Sequence, residues 1–214
     1  MNGVLSVTDK LANSLYVSGC LKFGNFQIKS GANSPYYIDL ARLLALPEEL
    51  CSVADIAART VSQLIVLEGV DKLASIELKG ALIVPSIACR VNLPCVVVRK
   101  EEKAYGVRGR IAGADVTKGD NILFFDDVVS EGLSKIEGIR PLEELGATVK
   151  HLLVVVDRQQ GGREHLEKLG YKVHSLAKIS EVVDSLCQSR LISEVQAQEV
   201  LEYIKSFRGL SDTT

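Results

Sequence analysis

Two adjacent carboxylates, Asp126 and Asp127, stand where a run of four apolar residues ends and a small-residue turn begins, in NILFFDDVVSEGLS, residues 121–134. The apolar run 122–125 has the length of a buried parallel strand rather than a helix. After the acids come Val128, Val129, the hydroxyl of Ser130, Glu131, Gly132, Leu133 and Ser134, and then a run to Pro141 and Gly146 that reads as a helix. A strand, an acidic pair, a small-residue turn and a helix start make a sugar-phosphate site. Free backbone N–H groups at the helix N-terminus suit a phosphate, and paired carboxylates suit the hydroxyls of a ribose. The same stretch also fits a surface loop whose acids answer the helix dipole.

Three other clusters carry chemistry. In residues 99–110, Arg99, Lys100, Lys103, Arg108 and Arg110 outnumber Glu101 and Glu102. With Gly106, Gly109 and Gly113 nearby, this run predicts a mobile loop rather than a regular element. Such a loop is either a solvated charged face or a flap that closes over a polyanion, where excluding water strengthens each charge contact. Residues 157–162, Asp-Arg-Gln-Gln-Gly-Gly, follow a predicted buried strand at 149–156, and the fixed guanidinium fork of Arg158 suits a carboxylate. Lys29 precedes a Pro-Tyr-Tyr-Ile run in which Tyr37 and Ile38 offer an apolar wall; a planar anionic base wants both wall and cation. Each cluster also has a plain structural reading as loop or packing.

The 126–134 turn resembles the ribose-phosphate signature of the type I phosphoribosyltransferases, in which two acids and two apolar residues precede Thr or Ser, a small residue, Gly and another hydroxyl. Asp126, Asp127, Val128, Val129, Ser130, Gly132 and Ser134 match; Glu131 and Leu133 depart, which implies weaker phosphate binding or compensation elsewhere. Lys-Phe-Gly at 22–24, Lys-Ser-Gly at 29–31 and Ser-Pro-Tyr at 34–36 are similar to the N-terminal hood of the orotate phosphoribosyltransferases. The Asp-Arg-x-x-Gly-Gly run at 157–162 resembles the same subgroup, and Arg99, Lys100 and Lys103 match its flexible loop, with Tyr105 where His is commonest.

The resemblance implies transfer of ribose 5-phosphate from phosphoribosyl diphosphate to orotate, giving orotidine 5′-phosphate and pyrophosphate. It assigns catalysis to Lys103, Asp126 and Asp127. Phosphoribosyl diphosphate would be held by Lys29, Lys79, Arg99, Lys100, Lys103, Tyr105 and the whole turn Asp126, Asp127, Val128, Val129, Ser130, Glu131, Gly132, Leu133, Ser134. Orotate would be held by Lys29, Tyr37, Ile38, Ser130 and Arg158. Mg²⁺ would be carried mainly by substrate oxygens and water, so no protein ligand is assigned to it. The 99–113 loop would serve a neighbouring subunit, which implies a homodimer, and an orotidine phosphate decarboxylase is a candidate partner. Two alternatives stay open: a phosphoribosyltransferase for another base, and a non-catalytic regulator that binds phosphoribosyl diphosphate.

The elements that must position these residues alternate between strand and helix from Pro47 to about residue 176, which predicts an α/β fold, a parallel sheet with helices on both faces. The motifs fall after strands, where such sheets bind ligands. A helix is predicted at 8–18 with Thr8 as N-cap, a hairpin at 21–40, and a helix at 47–67 ended by Gly69. Pro85 is expected near the first turn of the next helix. Helices at 180–187 and 193–207 follow a last strand at 171–176, and 209–214 is expected to fray. The predicted layout is a single phosphoribosyltransferase domain, 1–214, with a hood of about 1–45 and 177–208 on a core of about 46–176.

At 214 residues, with 47% hydrophobic and 24% charged residues, the chain is long enough for a substantial core. A net charge of −2 gives no basic field for nucleic acid. The five cysteines are scattered and odd in number, the pattern of reduced thiols in a cytoplasmic protein. No signal segment or membrane span is predicted, and no GxGxxG or Walker motif follows a strand.

Overall fold

Ser6 starts the first helix, α1 (Val7–Val17): its hydroxyl accepts from the Asp9 N–H while the Asp9 carboxylate accepts from the Ser6 N–H. This reciprocal pair satisfies two otherwise orphan donors and displaces Thr8 from the capping role expected of it. The computed structural model describes residues 6–28, 31–103 and 109–211. After α1, β1 (Leu21–Gln27) and β2 (Asn33–Ile38) pair antiparallel as a separate two-stranded sheet, as the alternating aromatic and aliphatic residues predict. A short 3-10 helix (Leu40–Ala45) leads into α2 (Pro47–Glu68), which ends on Gly69 at φ +69. By length and composition α2 could cross a membrane, but its Val53, Ala57, Val61 and Leu64 are buried in the core.

The chain then alternates: β3 (Lys72–Ile76), α3 (Lys79–Val91), β4 (Cys95–Lys103), β5 (Gly109–Gly113), β6 (Asn121–Val129), α4 (Leu133–Glu144), β7 (Thr148–Asp157), α5 (Gly162–Lys168), β8 (Lys172–Lys178). These strands form one sheet in the order β5-β4-β3-β6-β7-β8. All neighbours are parallel except β4 and β5. Two helices close the chain, α6 (Ile179–Gln188) and α7 (Glu194–Ser211). Ser193 and Gln196 cap α7 reciprocally, as their spacing predicts, and the helix continues to Ser211 through residues expected to fray.

Strand alternation divides the core. Leu123 and Phe125 of β6 pack with α1, α2 and α3 on one face. Ile122 and Phe124 pack with Ile76, Ile139 and Leu142 on the other. Because β4 lies on one side of β3 and β6 on the other, the strand order reverses between β3 and β6. Crevices at such reversals, outside the carboxyl ends of the strands, are where α/β sheets take ligands.

Two local expectations change. Pro85 lies well inside α3, on its exposed side, rather than near the first turn where its missing N–H costs least. Of the basic run 99–113, residues 99–103 belong to β4 and 109–113 form β5, strands rather than loop, and 104–108 lie outside the described residues. Val96, Val97 and Val98 pair with Gly113, Ala112 and Ile111, and Lys103 pairs with Gly109 across a register shift. Pairing at the sheet edge overrides what glycines and charge predict locally.

Gly138 is where α4 meets the sheet: a Cβ there would stand 2.9 Å from Phe124 Cε2 and 3.0 Å from Ile76 Cβ. For Gly138→Ala, overpacking of ~1–3 kcal/mol should exceed the ~1 kcal/mol gain in helix propensity. The expected outcome is a thermal midpoint lower by a few degrees in calorimetry; a midpoint that rises would show α4 free to move off the sheet.

Candidate functional site

The crevice between β3 and β6 is lined by two strand-to-helix turns, residues 77–80 entering α3 and residues 130–132 entering α4. Only glycine lets α3 begin this close to β6, since a Cβ at Gly80 would stand 2.9 Å from the Asp126 Cα. Gly132, at φ +89, turns the chain into α4. The turn after β7 is tied to the turn after β6 through the backbone. The Arg158 N–H donates to the Val129 carbonyl at 3.0 Å, and the Gly162 N–H to the Ser130 carbonyl at 2.8 Å. A Cβ at Gly162 would come within 2.7 Å of the Ser130 carbonyl carbon, so glycine is again required.

Asp126 and Asp127 lie at the carboxyl end of β6, 5% and 8% exposed, and as neighbours on a strand they leave it on opposite faces. Asp126 shares its face with Phe124 and meets α4, where Lys135 Nζ lies 2.6 Å from its Oδ2. Its Oδ1 accepts from the Asp127 N–H at 2.9 Å. Asp127 Oδ1 accepts from the Val128 N–H at 2.8 Å. Burial first, and then the neighbouring Asp126 charge, push the Asp127 carboxyl up from 3.8 to about 6, against the opposing pull of Lys135, the Val128 N–H and Lys79. A carboxyl that changes charge near neutrality is suited to acid–base work.

Around this pair the cations have defined partners. Lys79 Nζ lies 3.1 Å from Asp39 Oδ1 and 5.7 Å from the Tyr37 ring centroid. Burial alone would lower the Lys79 ammonium; contact with Asp39 and the charge of Asp127 outweigh it and raise it. Arg158 donates from Nε to the Tyr36 hydroxyl at 3.2 Å and from Nη1 to Ser130 Oγ at 3.4 Å, with its guanidinium carbon 5.0 Å from the Tyr36 ring centroid. Tyr36 is itself wedged edge-on against Tyr203 of α7. Tyr37 is 42% exposed, whereas Ile38, at 6%, turns with Tyr36 into the core; the two expected wall residues therefore do not share a face.

Between β4 and β5, Arg99 Nη1 reaches the Gly109 carbonyl at 3.4 Å and Arg110 Nε the Arg99 carbonyl at 2.9 Å. Glu77, a poor neighbour for a polyanion, accepts from the Lys100 N–H at 3.2 Å. In the β6–α4 turn Glu131, Leu133 and Ser134 are exposed, Val128 and Ser130 half-buried and Val129 buried. Lys29, Tyr105 and the side chain of Lys103 lie outside the described residues. Among the described residues no group of three or more His, Cys, Asp or Glu side chains is arranged to hold a metal ion.

Three residues at the site escape the motif reading, Asp39, Lys135 and Tyr203, while Tyr36 enters it only as part of the Ser-Pro-Tyr match. Only Lys135 leaves a trace in the sequence, as a cation in the first turn of a helix, where the dipole disfavours it.

No protein-family model matches the chain. It is 36% identical over 178 residues to an orotate phosphoribosyltransferase of Pyrococcus horikoshii, covering 83% of this chain and 94% of that protein. It is 36% identical over 196 residues to the uridine 5′-monophosphate synthase of Bos taurus, covering 91% of this chain but 40% of the synthase. In structure it is similar to Leishmania donovani UMP synthase, with a TM-score of 0.84 at 32% identity, covering 94% of this chain and 43% of that one.

The raised Asp127 carboxyl has a stability consequence whose sign is fixed. The folded state binds this proton more tightly than the unfolded chain, so the stabilisation it brings is fully present below pH 3.8 and is lost as pH rises through about 6. Above that, the buried charge burdens the folded state by on the order of 3 kcal/mol. Asp127→Asn should therefore be more stable than the wild type in urea unfolding at pH 8 and no more stable at pH 4. A variant less stable at both would show that the carboxylate is better solvated than its burial implies.

Proposed function

The chain belongs to the orotate phosphoribosyltransferase family, and we propose that it carries out the corresponding transfer, from phosphoribosyl diphosphate to the N1 of orotate with release of pyrophosphate. The observation that carries this reading is the Arg158–Ser130 contact at 3.4 Å. A fork suited to a carboxylate touches a hydroxyl of a turn suited to a phosphate, so base and sugar phosphate would lie one side chain apart.

The turn amides from Val128 to Ser134 would hold the 5-phosphate at the start of α4. Asp127 would accept from a ribose hydroxyl and favour positive charge on the ring as the bond to the diphosphate lengthens. Lys79 would leave Asp39 for the diphosphate, joined by Arg99, Lys100, Lys103 and Tyr105. Arg158, Lys29 and Tyr37 would seat orotate. Mg²⁺ would bind the diphosphate oxygens and water and neutralise the leaving group. The 99–113 segment would complete the site of a second copy, making the unit a homodimer. We further propose that 1–214 is one domain, its hood made of 1–45 with 177–208, that it works in the cytoplasm, and that its product passes to an orotidine phosphate decarboxylase.

Mixing the protein with orotate, phosphoribosyl diphosphate and Mg²⁺ should lower the orotate absorbance; binding of the activated sugar with no absorbance change would make the protein a sensor instead. Arg158→Lys should raise the KM for orotate at least tenfold, ~1.4 kcal/mol, and leave that for phosphoribosyl diphosphate little changed; equal loss for both would remove Arg158 from the base. Lys103→Ala should lose most turnover while both KM values stay within about tenfold. Mixed with Asp127→Asn and re-equilibrated, it should regain activity in hybrid dimers; a mixture as inactive as its parts would end the shared-site arrangement.

A further inference from the structure

Lys135 is 4% exposed, and among the described residues no other lysine or arginine is buried to that extent. Its place in the first turn of α4 sets its charge against the helix dipole, and burial opposes that charge further. What offsets these costs is specific. Its ammonium lies 2.6 Å from Asp126 Oδ2 and donates to Ser134 Oγ at 3.2 Å. With Oδ1 taken by the Asp127 N–H, both oxygens of Asp126 are engaged inside the protein. Asp127 differs: Oδ1 accepts from Val128, and Oδ2 accepts no hydrogen bond among the described residues.

We propose that Lys135 is a positioning residue that holds Asp126 paired and turned away from the ribose, leaving Asp127 as the one carboxylate of the pair that meets the substrate and exchanges a proton. The inference rests on the phosphoribosyl-transfer reading and deepens it by dividing the two acids into an anchor and a working group. Three charged groups act on Asp127: Asp126 and its partner Lys135 from the opposite face of β6, and Lys79 from α3, the last shared with Asp39 after β2. Lys135 cancels much of the charge of Asp126, so it sets how readily Asp127 gives up its proton. Through Ser134 it also orients a hydroxyl at the helix start where the 5-phosphate would sit.

The test has two readouts. Carbon-13 carboxyl titration of aspartate-labelled protein should show one resonance with a midpoint near neutrality that is absent from Asp127→Asn; a resonance that persists in that variant overturns the proposal. In the pH profile of kcat/KM for orotate transfer, the wild type should lose activity as pH falls and Asp127 takes up its proton. Lys135→Arg should keep that limb in place. Lys135→Met should move it upward by about one pH unit or more, since losing a nearby cation strengthens proton binding by the pair. A limb that does not move in folded Lys135→Met overturns the proposal. Should Lys135→Met fail to fold, the carboxyl titrations of wild type and Asp127→Asn decide it. Wild-type protein inert toward orotate at every pH would instead overturn the transfer reading, and the titrations, which need no turnover, still judge the division between the two acids.

Discussion

Two negative charges cannot be buried side by side without something to hold them, and the end of β6 is built around that constraint. Taking a carboxylate out of water costs several kcal/mol unless paired and hydrogen-bonded. Asp126 is both paired and hydrogen-bonded. Asp127 has one backbone donor, a cation shared with Asp39, and a second acid at its back. The asymmetry follows from strand geometry: alternation sends one side chain under α4, where a lysine can be buried against it, and the other toward the open crevice. A pair of acids that look equivalent in the sequence thus becomes two groups with different chemistry.

The backbone around them leaves little freedom. Gly80 brings α3 onto the Asp126 backbone, and Gly162 brings the turn that carries Arg158 onto Ser130. Each contact is between main-chain atoms, so it fixes distances that side chains alone would leave adjustable. The carboxylates, the turn after β6 and the guanidinium are therefore held together by close contacts among β6, β7 and the starts of α3, α4 and α5. A site held this way can place a reacting sugar and a base in register before any chemistry begins.

Much of this was legible in the residues. The alternation of apolar runs and amphipathic helices set the sheet, and the acidic pair, the small-residue turn and Arg158 announced themselves because strand ends and glycine turns have local signatures. What was hidden depended on neighbours far away in the chain. In a six-residue strand, parity does not say which face the fold will cover, so Tyr36 and Tyr37 were interchangeable until α7 and Arg158 closed over one of them. Lys135 carries only a faint local signal, a cation in a helix's first turn, because nothing nearby in the chain says that Asp126 lies beneath it. Residues 99–103 and 109–113 read as loop from their glycines and charges, while the edge of β4, with its unpaired backbone groups, needed a partner strand.

That last point bears on how the site divides its work. Strands β3, β6 and β7 are flanked on both sides and their backbone groups are paired in two directions; β5 is paired on one side only. Opening an edge strand breaks one ladder, opening a central strand breaks two, so the edge belongs to the low-cost end of local unfolding. Arg158 and the turn after β6, which on the proposed reading would recognise geometry, stand on the costly centre. Arg99 and Lys100, which on the same reading would meet developing charge, stand on the strand that pairs with the edge. A guanidinium that grips a planar carboxylate gains from being fixed, because misorientation wastes both hydrogen bonds. A cation that answers a departing polyanion gains from reach, because Coulomb attraction varies slowly with angle. The sheet order alone, by putting β4 and β5 at one end and β6 and β7 beyond β3, assigns each kind of group to the part of the fold whose stiffness suits it.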